Sequence, residues 1–287
     1  MDITRLFPLT FVLIWATGFI TARVAAGHAD PLTFLALRYA LAIIALSLWA
    51  ILARAPWPGG WIAWRNALLA GVLMQAIYLG GVFWAVRHGL SAGITALIVG
   101  LQPLLTAVLS APLLGEHLKP RHWLGILLGL AGVALVLSPG LLGADWALPL
   151  PALAVATLAM VGITLGTIWQ KRTAGALDLR SNAAVQFIGA LLATLPVIFL
   201  TEDARFDWSL PALGAVVWAA IGLSIGATSL LLFMIRRGAV AQVASLFYLT
   251  PPIAALMAYA LFGEALSLVQ LLGMGFAATG VAIASRA

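Results

Sequence analysis

The sequence predicts an all-α integral membrane protein, with ten transmembrane helices arranged as two inverted five-helix repeats around a central cavity. Three observations lead to this fold class. Hydrophobic residues make up 63% of the 287 residues and charged residues only 8%, which lies far outside the composition of soluble domains. The apolar residues occur in runs close to the ~20 residues that a helix needs to cross a bilayer. In addition, the chain matches itself when it is shifted by 148 positions.

The self-match extends along the whole chain and indicates a tandem duplication. It pairs Gly18 with Gly166, Asp30 with Asp178, Ala36 with Ala184, Pro103 with Pro251, Glu116 with Glu264 and Gly132 with Gly280. A short piece around Arg87 matches Arg236 at a shift of 149 instead. We therefore divide the chain into a first repeat, residues 1–138, a linker that contains Pro and Gly, residues 139–148, and a second repeat, residues 149–287.

Each repeat contains five apolar runs that are long enough to span a membrane. The predicted spans are residues 6–26, 31–53, 67–86, 91–114, 122–137, 149–170, 181–200, 212–235, 239–262 and 267–285. Because five is odd, the second repeat enters the membrane from the opposite side. A pseudo-two-fold axis in the membrane plane is therefore expected to relate the repeats, with a substrate site near the midplane between them.

The basic residues fix the predicted orientation. Eleven of the 15 Lys and Arg residues fall on one side when loops are assigned alternately to the two faces. By the positive-inside rule that side is cytoplasmic, so both termini are expected inside. The basic excess is thus explained by topology, and no nucleic-acid partner is expected. The chain contains no cysteine, which excludes disulfides and thiolate metal sites.

The first span has Arg5 before it and small residues after it, as a secretory signal peptide does. Because it has a counterpart in the second repeat, we interpret it as a structural helix. The second span contains Arg38, the only charged residue well inside a predicted span. A charge at that depth is costly unless it is compensated. Arg38 either binds a substrate carboxylate or extends outward to bond loop carbonyls.

Polar side chains in the third and fourth spans of each repeat fall on helical stripes, which we predict to face the central cavity. Trp15 in the first span adds aromatic surface. The predicted substrate-binding residues are Trp15, Arg38, Gln75, Tyr78, Thr95, Gln102, Ser224, Thr228, Ser245 and Tyr248. For an aromatic residue close to a membrane boundary, the alternative is an interface anchor.

Prolines lie in the fourth span of both repeats, at Pro103, Pro251 and Pro252. A proline inside a helix leaves the carbonyl four residues earlier without its backbone partner. Within a bilayer, such a carbonyl must face protein or a water-filled cavity. We predict that these prolines mark kinks beside the site and take part in gating, the alternative being a kink that serves packing alone.

Glycines are expected to end and to pack several helices. Gly115 and Gly263 can adopt the left-handed conformation that stops a helix, and the glutamates after them serve either the next helix or a gate. The fifth and tenth spans carry small-residue faces that permit close approach: Gly125, Gly129 and Gly132, and Gly273, Ala277 and Gly280. These faces can meet each other, the rest of the bundle, or a second copy in a homo-oligomer.

All nine Asp and Glu residues fall in predicted termini or loops, and the four histidines fall in loops or, for His122, at the first residue of a span. Proton-driven carriers typically use a membrane-embedded acid or histidine, so any transport is expected to be facilitative. The same gap argues against an intramembrane enzyme and against a metal or another cofactor.

The ten spans, the two repeats, the prolines and the Gly-Glu pairs 12 and 13 residues beyond them resemble the drug/metabolite transporter superfamily, EamA-type. Within it, the chain looks most like the YddG-type exporters of aromatic and other neutral amino acids. The resemblance implies a multi-pass protein of the bacterial inner membrane. It also implies that the first four helices of each repeat surround a central cavity, and that the third and fourth helices move in alternating access.

On these grounds we expect a protein of the lipid bilayer that exports small neutral metabolites, with aromatic and other neutral amino acids as the first candidates. Three alternatives remain open. They are an exporter of other small molecules such as drugs or nucleosides, a proton-coupled antiporter, and a membrane scaffold that transports nothing.

Overall fold

The computed structural model describes residues 7–102, 104–106, 108–109, 120–142, 149–173, 177–230, 250–263 and 267–285. Helices account for most of them: α1 Phe7–His28, α2 Pro31–Leu52, α3 Trp61–Arg87, α4 Ala92–Val99, α5 Pro120–Leu142, α6 Leu150–Thr173, α7 Leu179–Thr201, α8 Leu210–Leu230, α9 Thr250–Phe262 and α10 Leu268–Ser285. Within these ranges, the extended pairing is a single isolated bridge between Ala29 and Phe206.

Six helices, α1, α2, α3, α6, α7 and α8, are long and apolar enough to cross a bilayer, and α4, α5 and α10 contain shorter apolar stretches. Large apolar side chains cover the outside of the bundle, where Leu52, Phe199 and Leu200 are 75%, 83% and 84% exposed. Such a surface suits hydrocarbon and not water. Over the described residues, the structure is thus helical, with six helices suited to a multi-pass membrane protein.

Several helices extend beyond their predicted ends, and two of them, α3 and α5, do so by five residues or more at one end. Helix α3 begins at Trp61 rather than at residue 67, so its first turns carry tryptophans typical of a membrane interface. Helix α5 continues to Leu142 through Pro139, where the linker was expected to begin. Pro139 cannot donate to the carbonyl of Leu135, and the Ser138 hydroxyl donates to that carbonyl instead, at 2.8 Å. Residues 139–142 are therefore helical.

Helices α3 and α8 both change from α-helical to π-helical hydrogen bonding at mid-length. The π-helical segments are Val72–Ile77 in α3 and Ala219–Ala227 in α8. In α8 the hydroxyls of Ser224 and Thr228 donate to the carbonyls of Ala219 and Leu223, five residues back. The two segments overlap when the chain is shifted by 148 positions. Isolated π turns in α-helices frequently occur at functional sites.

The small-residue faces of α5 and α10 pack against each other. A Cβ atom built on Gly132 would lie 2.5 Å from the backbone N of Ala277 and the O of Gly273. A Cβ atom built on Gly280 would lie 2.5 Å from the O of Gly125 and the N of Gly129. The sequence left open whether these faces meet each other, the rest of the bundle or a second copy, and in the structure they meet each other within one molecule.

The centre of the bundle joins α2, α3 and α7. The rings of Tyr39 on α2 and Phe187 on α7, which are 148 positions apart, lie 5.8 Å from each other between centroids. Helix α3 approaches α7 so closely that Gly71 packs on the backbone of Gln186 and Gly189 on that of Leu68. This central packing places the middle of α3 beside α2.

The predicted helix stop at Gly263 is confirmed. Helix α9 ends at Phe262, and Gly263 has φ +68° with its N–H donating to the carbonyl of Tyr259. An L-residue with a Cβ atom would be strained there. The corresponding Gly115, and the glutamates Glu116 and Glu264, lie outside the described residues.

Candidate functional site

A cavity lies between α1, α2, α3, α6, α7 and α8. Its empty volume is about 630 Å³, a figure that includes the opening to solvent. Its polar and aromatic lining includes Trp15, Arg38, Gln75, Tyr78, Ser224 and Thr228, and the rest of its wall includes Phe19, Met74, Leu79, Val82, Phe83, Ile163, Phe187 and Leu223. Binding cavities of this kind combine an apolar wall with a few polar groups that fix the orientation of the ligand.

The structure brings six of the predicted substrate-binding residues together in this lining: Trp15, Arg38, Gln75, Tyr78, Ser224 and Thr228. Thr95 and Gln102 are not part of it. Thr95 is fully buried, and its hydroxyl donates to the carbonyl of Ser91 in its own helix. The amide of Gln102 donates to the hydroxyl of Thr106. Ser245 and Tyr248 lie outside the described residues.

The predicted proline kinks fall mostly at the margin of the described chain. Pro103 lies outside it, and Pro251 and Pro252 occupy the first described turn of α9. Helix α4 ends at Val99, the residue whose carbonyl would lose its partner to Pro103. The gating role remains a prediction.

Arg38 points into the protein. Its side chain on α2 is 6% exposed, and its Nε donates to Ser224 Oγ on α8 at 3.1 Å. Ser224 Oγ in turn donates to the carbonyl of Ala219 at 3.1 Å. The Arg38 side chain therefore does not extend outward to bond loop carbonyls. Gln186, the counterpart of Arg38 on α7, is also buried but is not part of the lining.

Helix α2 is bonded to both π-helical segments through consecutive residues. The Tyr39 hydroxyl donates to the carbonyl of Gln75 in α3 at 2.8 Å, while Arg38 donates to Ser224 in α8. Gln75 and Ser224, 149 positions apart in the chain, both line the cavity. Helix α2 thus forms hydrogen bonds with both Gln75 and Ser224.

Of the aromatic wall, Trp15 and Tyr78 were predicted from the sequence, whereas the phenylalanines were not. Phe19, Phe83 and Phe187 line the cavity, yet an apolar residue in a membrane helix looks the same whether it faces lipid or a cavity. Phe83 also stacks on Phe34, with ring centroids 5.4 Å apart, and Phe34 stacks on Phe206 at 6.5 Å. These rings connect the cavity wall to the connection between α7 and α8.

That connection, residues 202–209, packs over the turn between α1 and α2, and we call the contact the clasp. Glu202 accepts hydrogen bonds from the backbone N–H groups of Leu32 and Thr33 at 2.8 and 2.9 Å. Asp30 N–H donates to the Arg205 carbonyl, and Arg205 N–H donates to the Asp30 carboxylate. From the sequence, residues 202–209 were expected only to be a connection between two spans.

The clasp also includes an exposed hydrogen-bonded pair of His28 and Asp207. His28 Nδ1 lies 2.9 Å from Asp207 Oδ2. Hydrogen bonds to His28 and then to Ser209 hold the pKa of the Asp207 carboxyl below its ordinary value. At the opposite end of α7, the hydrogen bonds from Arg180 likewise lower the pKa of Asp178. Among the described residues, the ion pairs formed by carboxylates lie at helix ends and in connections, away from the cavity.

Comparison with known proteins identifies the family. The sequence profile of the EamA-like transporter family matches residues 3–138 and again residues 150–286. The uncharacterized inner membrane transporter YedA of Escherichia coli (strain K12) is 28% identical, over 96% of this chain and 90% of its own length. The uncharacterized transporter YvbV of Bacillus subtilis (strain 168) is 24% identical, over 98% and 90%.

One solved crystal structure shares the fold across nearly the whole chain. It superposes with a TM-score of 0.69 at 23% sequence identity, and the match covers 98% of this chain and 96% of that one. The two relatives named above are both transporters. This chain belongs to the EamA-like transporter family, and it is a membrane transporter rather than an enzyme.

Proposed function

We propose that the protein exports small neutral metabolites across the bacterial inner membrane, with aromatic and other neutral amino acids as its principal substrates. The observation that carries this proposal is the composition of the cavity wall. Aromatic rings from Trp15, Phe19, Tyr78, Phe83 and Phe187 stand beside a small set of polar groups. Rings of this kind bind large apolar side chains and can also attract an ammonium group through their π faces.

The neutral polar groups of the lining suit a zwitterion. Gln75, Ser224 and Thr228 offer amide and hydroxyl groups that can both donate and accept hydrogen bonds. Within the described residues the lining holds no carboxylate, so a substrate with net positive charge would find no counter-charge there. Neutral amino acids with large side chains fit these requirements better than basic ones.

Alternating access between two inverted repeats is the proposed mechanism. Three observations support it: the family profile matches twice in succession, the glycine contacts of α5 and α10 are reciprocal, and Tyr39 touches its counterpart Phe187. Reciprocal contacts between equivalent residues are what a two-fold axis produces. The π-helical segments of α3 and α8 supply places where those helices can bend.

We further propose that transport is facilitative. The sequence places every Asp and Glu outside the predicted spans. Within the described residues, neither a carboxylate nor a histidine lines the cavity, although such groups carry protons in coupled transporters. The substrate gradient would then drive export.

Uptake into proteoliposomes tests this function. Radiolabelled phenylalanine should enter in a saturable way, at a rate that does not depend on an imposed pH gradient. Gln75→Ala or Tyr78→Ala should lower the initial rate by about tenfold, equivalent to ~1.4 kcal/mol, because each removes a polar contact from the cavity. Thr164→Val is the matched control, since Thr164 is buried, bonded within α6 and outside the lining. Failure to take up any amino acid would refute the proposal, and a steep pH-gradient dependence would refute the facilitative mechanism.

A further inference from the structure

We infer that Arg38 is the anchor for a carboxylate group of the transported substrate, and that Ser224 on the π-helical segment of α8 positions the guanidinium to receive it. This inference rests on the proposed transport function. It narrows the substrates to compounds that combine a carboxylate with an aromatic or apolar moiety.

The positive charge of Arg38 is buried inside the bundle. Its side chain is 94% buried, because only 6% is exposed, and it lies between apolar helices. Burial of an arginine without a counter-ion is expensive in a protein interior and more so in a membrane. Its hydrogen-bond partner, Ser224 Oγ, is neutral and does not balance the charge.

Arg38 has no counter-ion among the described residues. The described carboxylates are Asp30, Asp178, Glu202, Asp203 and Asp207, all at helix ends or in connections. The undescribed stretch 231–249, which belongs to the eighth and ninth predicted spans, contains no Asp or Glu. Within the described bundle, the guanidinium therefore has space for an anion and no protein anion to fill it.

The Arg38 guanidinium has N–H donors beyond the one that bonds Ser224. A guanidinium has five N–H donors in a planar fork, and within the described chain only the Nε donor of Arg38 has a protein acceptor. The terminal nitrogens of Arg38 are accessible to solvent. This follows because, among the described residues, Thr250 Oγ1 is the one side-chain polar atom that is both inaccessible and without a hydrogen-bond partner. Arg38 thus presents free terminal donors at the cavity that it lines, and such donors bind a carboxylate in a bidentate manner.

Hydrogen bonds fix the orientation of the Arg38 side chain. Ser224 Oγ accepts from Arg38 and donates to Ala219, which fixes the hydroxyl between the guanidinium and the helix backbone. The neighbouring Tyr39 hydroxyl bonds to Gln75 and holds α2 against α3. A binding group whose own orientation is fixed in this way loses little entropy when a ligand arrives.

The cavity treats the two charges of an amino acid differently. Arg38 can pair with the carboxylate, whereas the described lining provides no acid for the ammonium. We therefore expect the carboxylate to be essential for binding and the ammonium to be dispensable. Aromatic carboxylates without an amino group belong to the same substrate class.

Three matched compounds test the inference with the purified, full-length protein. They are L-phenylalanine, 3-phenylpropionate, which lacks the ammonium, and L-phenylalaninamide, which lacks the carboxylate charge. Binding is measured by titration calorimetry and by thermal stabilisation. The wild type should bind the two carboxylates and bind the amide at least about tenfold more weakly.

Variants locate the effect at Arg38. Arg38→Gln should weaken binding of both carboxylates by about tenfold or more, since it removes the charge and the fork. Arg38→Lys keeps the charge and loses the planar fork of donors, so its carboxylate affinity should lie between those of the wild type and Arg38→Gln. Ser224→Ala should weaken carboxylate binding by a smaller factor without affecting the amide. Thr164→Val is the control for a buried hydroxyl lost elsewhere in the bundle.

The outcomes separate this inference from the proposed function. Equal binding of the amide and of phenylalanine would overturn the carboxylate anchor, even if phenylalanine is transported. Binding of 3-phenylpropionate without binding or uptake of any amino acid would support the anchor and reject amino-acid transport. If none of the three compounds binds, the anchor is also rejected. Should Arg38→Gln fail to fold, the comparison of the three compounds on the wild type decides alone.

Discussion

Glu202, which follows α7, caps α2, a helix in the first half of the chain. Asp30, the N-cap residue of α2, makes no side-chain capping bond, whereas its counterpart Asp178 accepts from Arg180 N–H at the start of α7. The free N–H groups of α2 are bonded by Glu202 instead. A carboxylate at a helix N-terminus is favoured both by hydrogen bonds and by the helix dipole.

Replacement of Glu202 should therefore destabilise the protein. We expect Glu202→Ala to lower the free energy of unfolding by about 1–2 kcal/mol, the range measured for lost caps. Asp203→Ala is the matched control, because the ion pair of Asp203 with Arg205 is largely exposed and should contribute little. Thermal unfolding of the two variants in the same detergent measures the difference. Equal shifts in melting temperature would contradict the capping role.

At the residue scale, the sequence could identify polar members of the cavity but not its wall. Gln75 and Ser224 were recognisable because polar side chains inside apolar spans need a reason to be there. Thr95 shows where this reasoning fails, since its hydroxyl is bonded within its own helix and needs no cavity. Phe83 and Phe187 could not be found, because burial and lipid contact select the same residue types.

Elements were predicted best where proline or glycine marks their ends. Helix α2 begins at Pro31 as expected, since proline fits the first helical position and starts a helix cleanly. The π-helical segments could not be predicted, because both lie in spans that are apolar on almost all sides, where a change of helical phase leaves no mark on the sequence pattern. The sequence did not reveal that α5 continues through Pro139, where the Ser138 hydroxyl bonds the carbonyl of Leu135 that Pro139 leaves without an N–H partner.

The packing of α5 on α10 yields a prediction at the element scale. Gly132→Ala places a methyl group 2.5 Å from the backbone of α10, so the helices must separate, at a cost of about 1–3 kcal/mol. Gly275→Ala is the control, because a Cβ atom there meets nothing within 4 Å, and alanine favours a helix over glycine. Melting temperatures should fall for the first variant and stay level or rise for the second. A fall of the same size in both would mean that close packing is not what Gly132 provides.

At the scale of the whole molecule, the clasp joins the two halves of the chain at the predicted outer face. It pairs Ala29 with Phe206 and continues through Phe34 to Phe83 in the cavity wall. The sequence itself indicates the duplication, because identical residues recur in order. The clasp could not be, since contacts between connections depend on where the helix ends meet. In the proposed cycle of alternating access, the clasp has to open for substrate to leave.

A reversible lock across the clasp tests that requirement. The chain contains no cysteine, so a disulfide between Ala29→Cys and Phe206→Cys would be the only one present. The two residues face each other in an antiparallel bridge, where Cα separations of about 4.5–5.5 Å suit disulfide geometry. Oxidation should abolish phenylalanine uptake into proteoliposomes, and a reducing agent should restore it, while oxidant leaves each single-cysteine variant unaffected. The Phe206→Cys single variant controls for loss of the ring that stacks on Phe34. Full uptake by the oxidised double variant would rule out opening of the clasp as a step in transport.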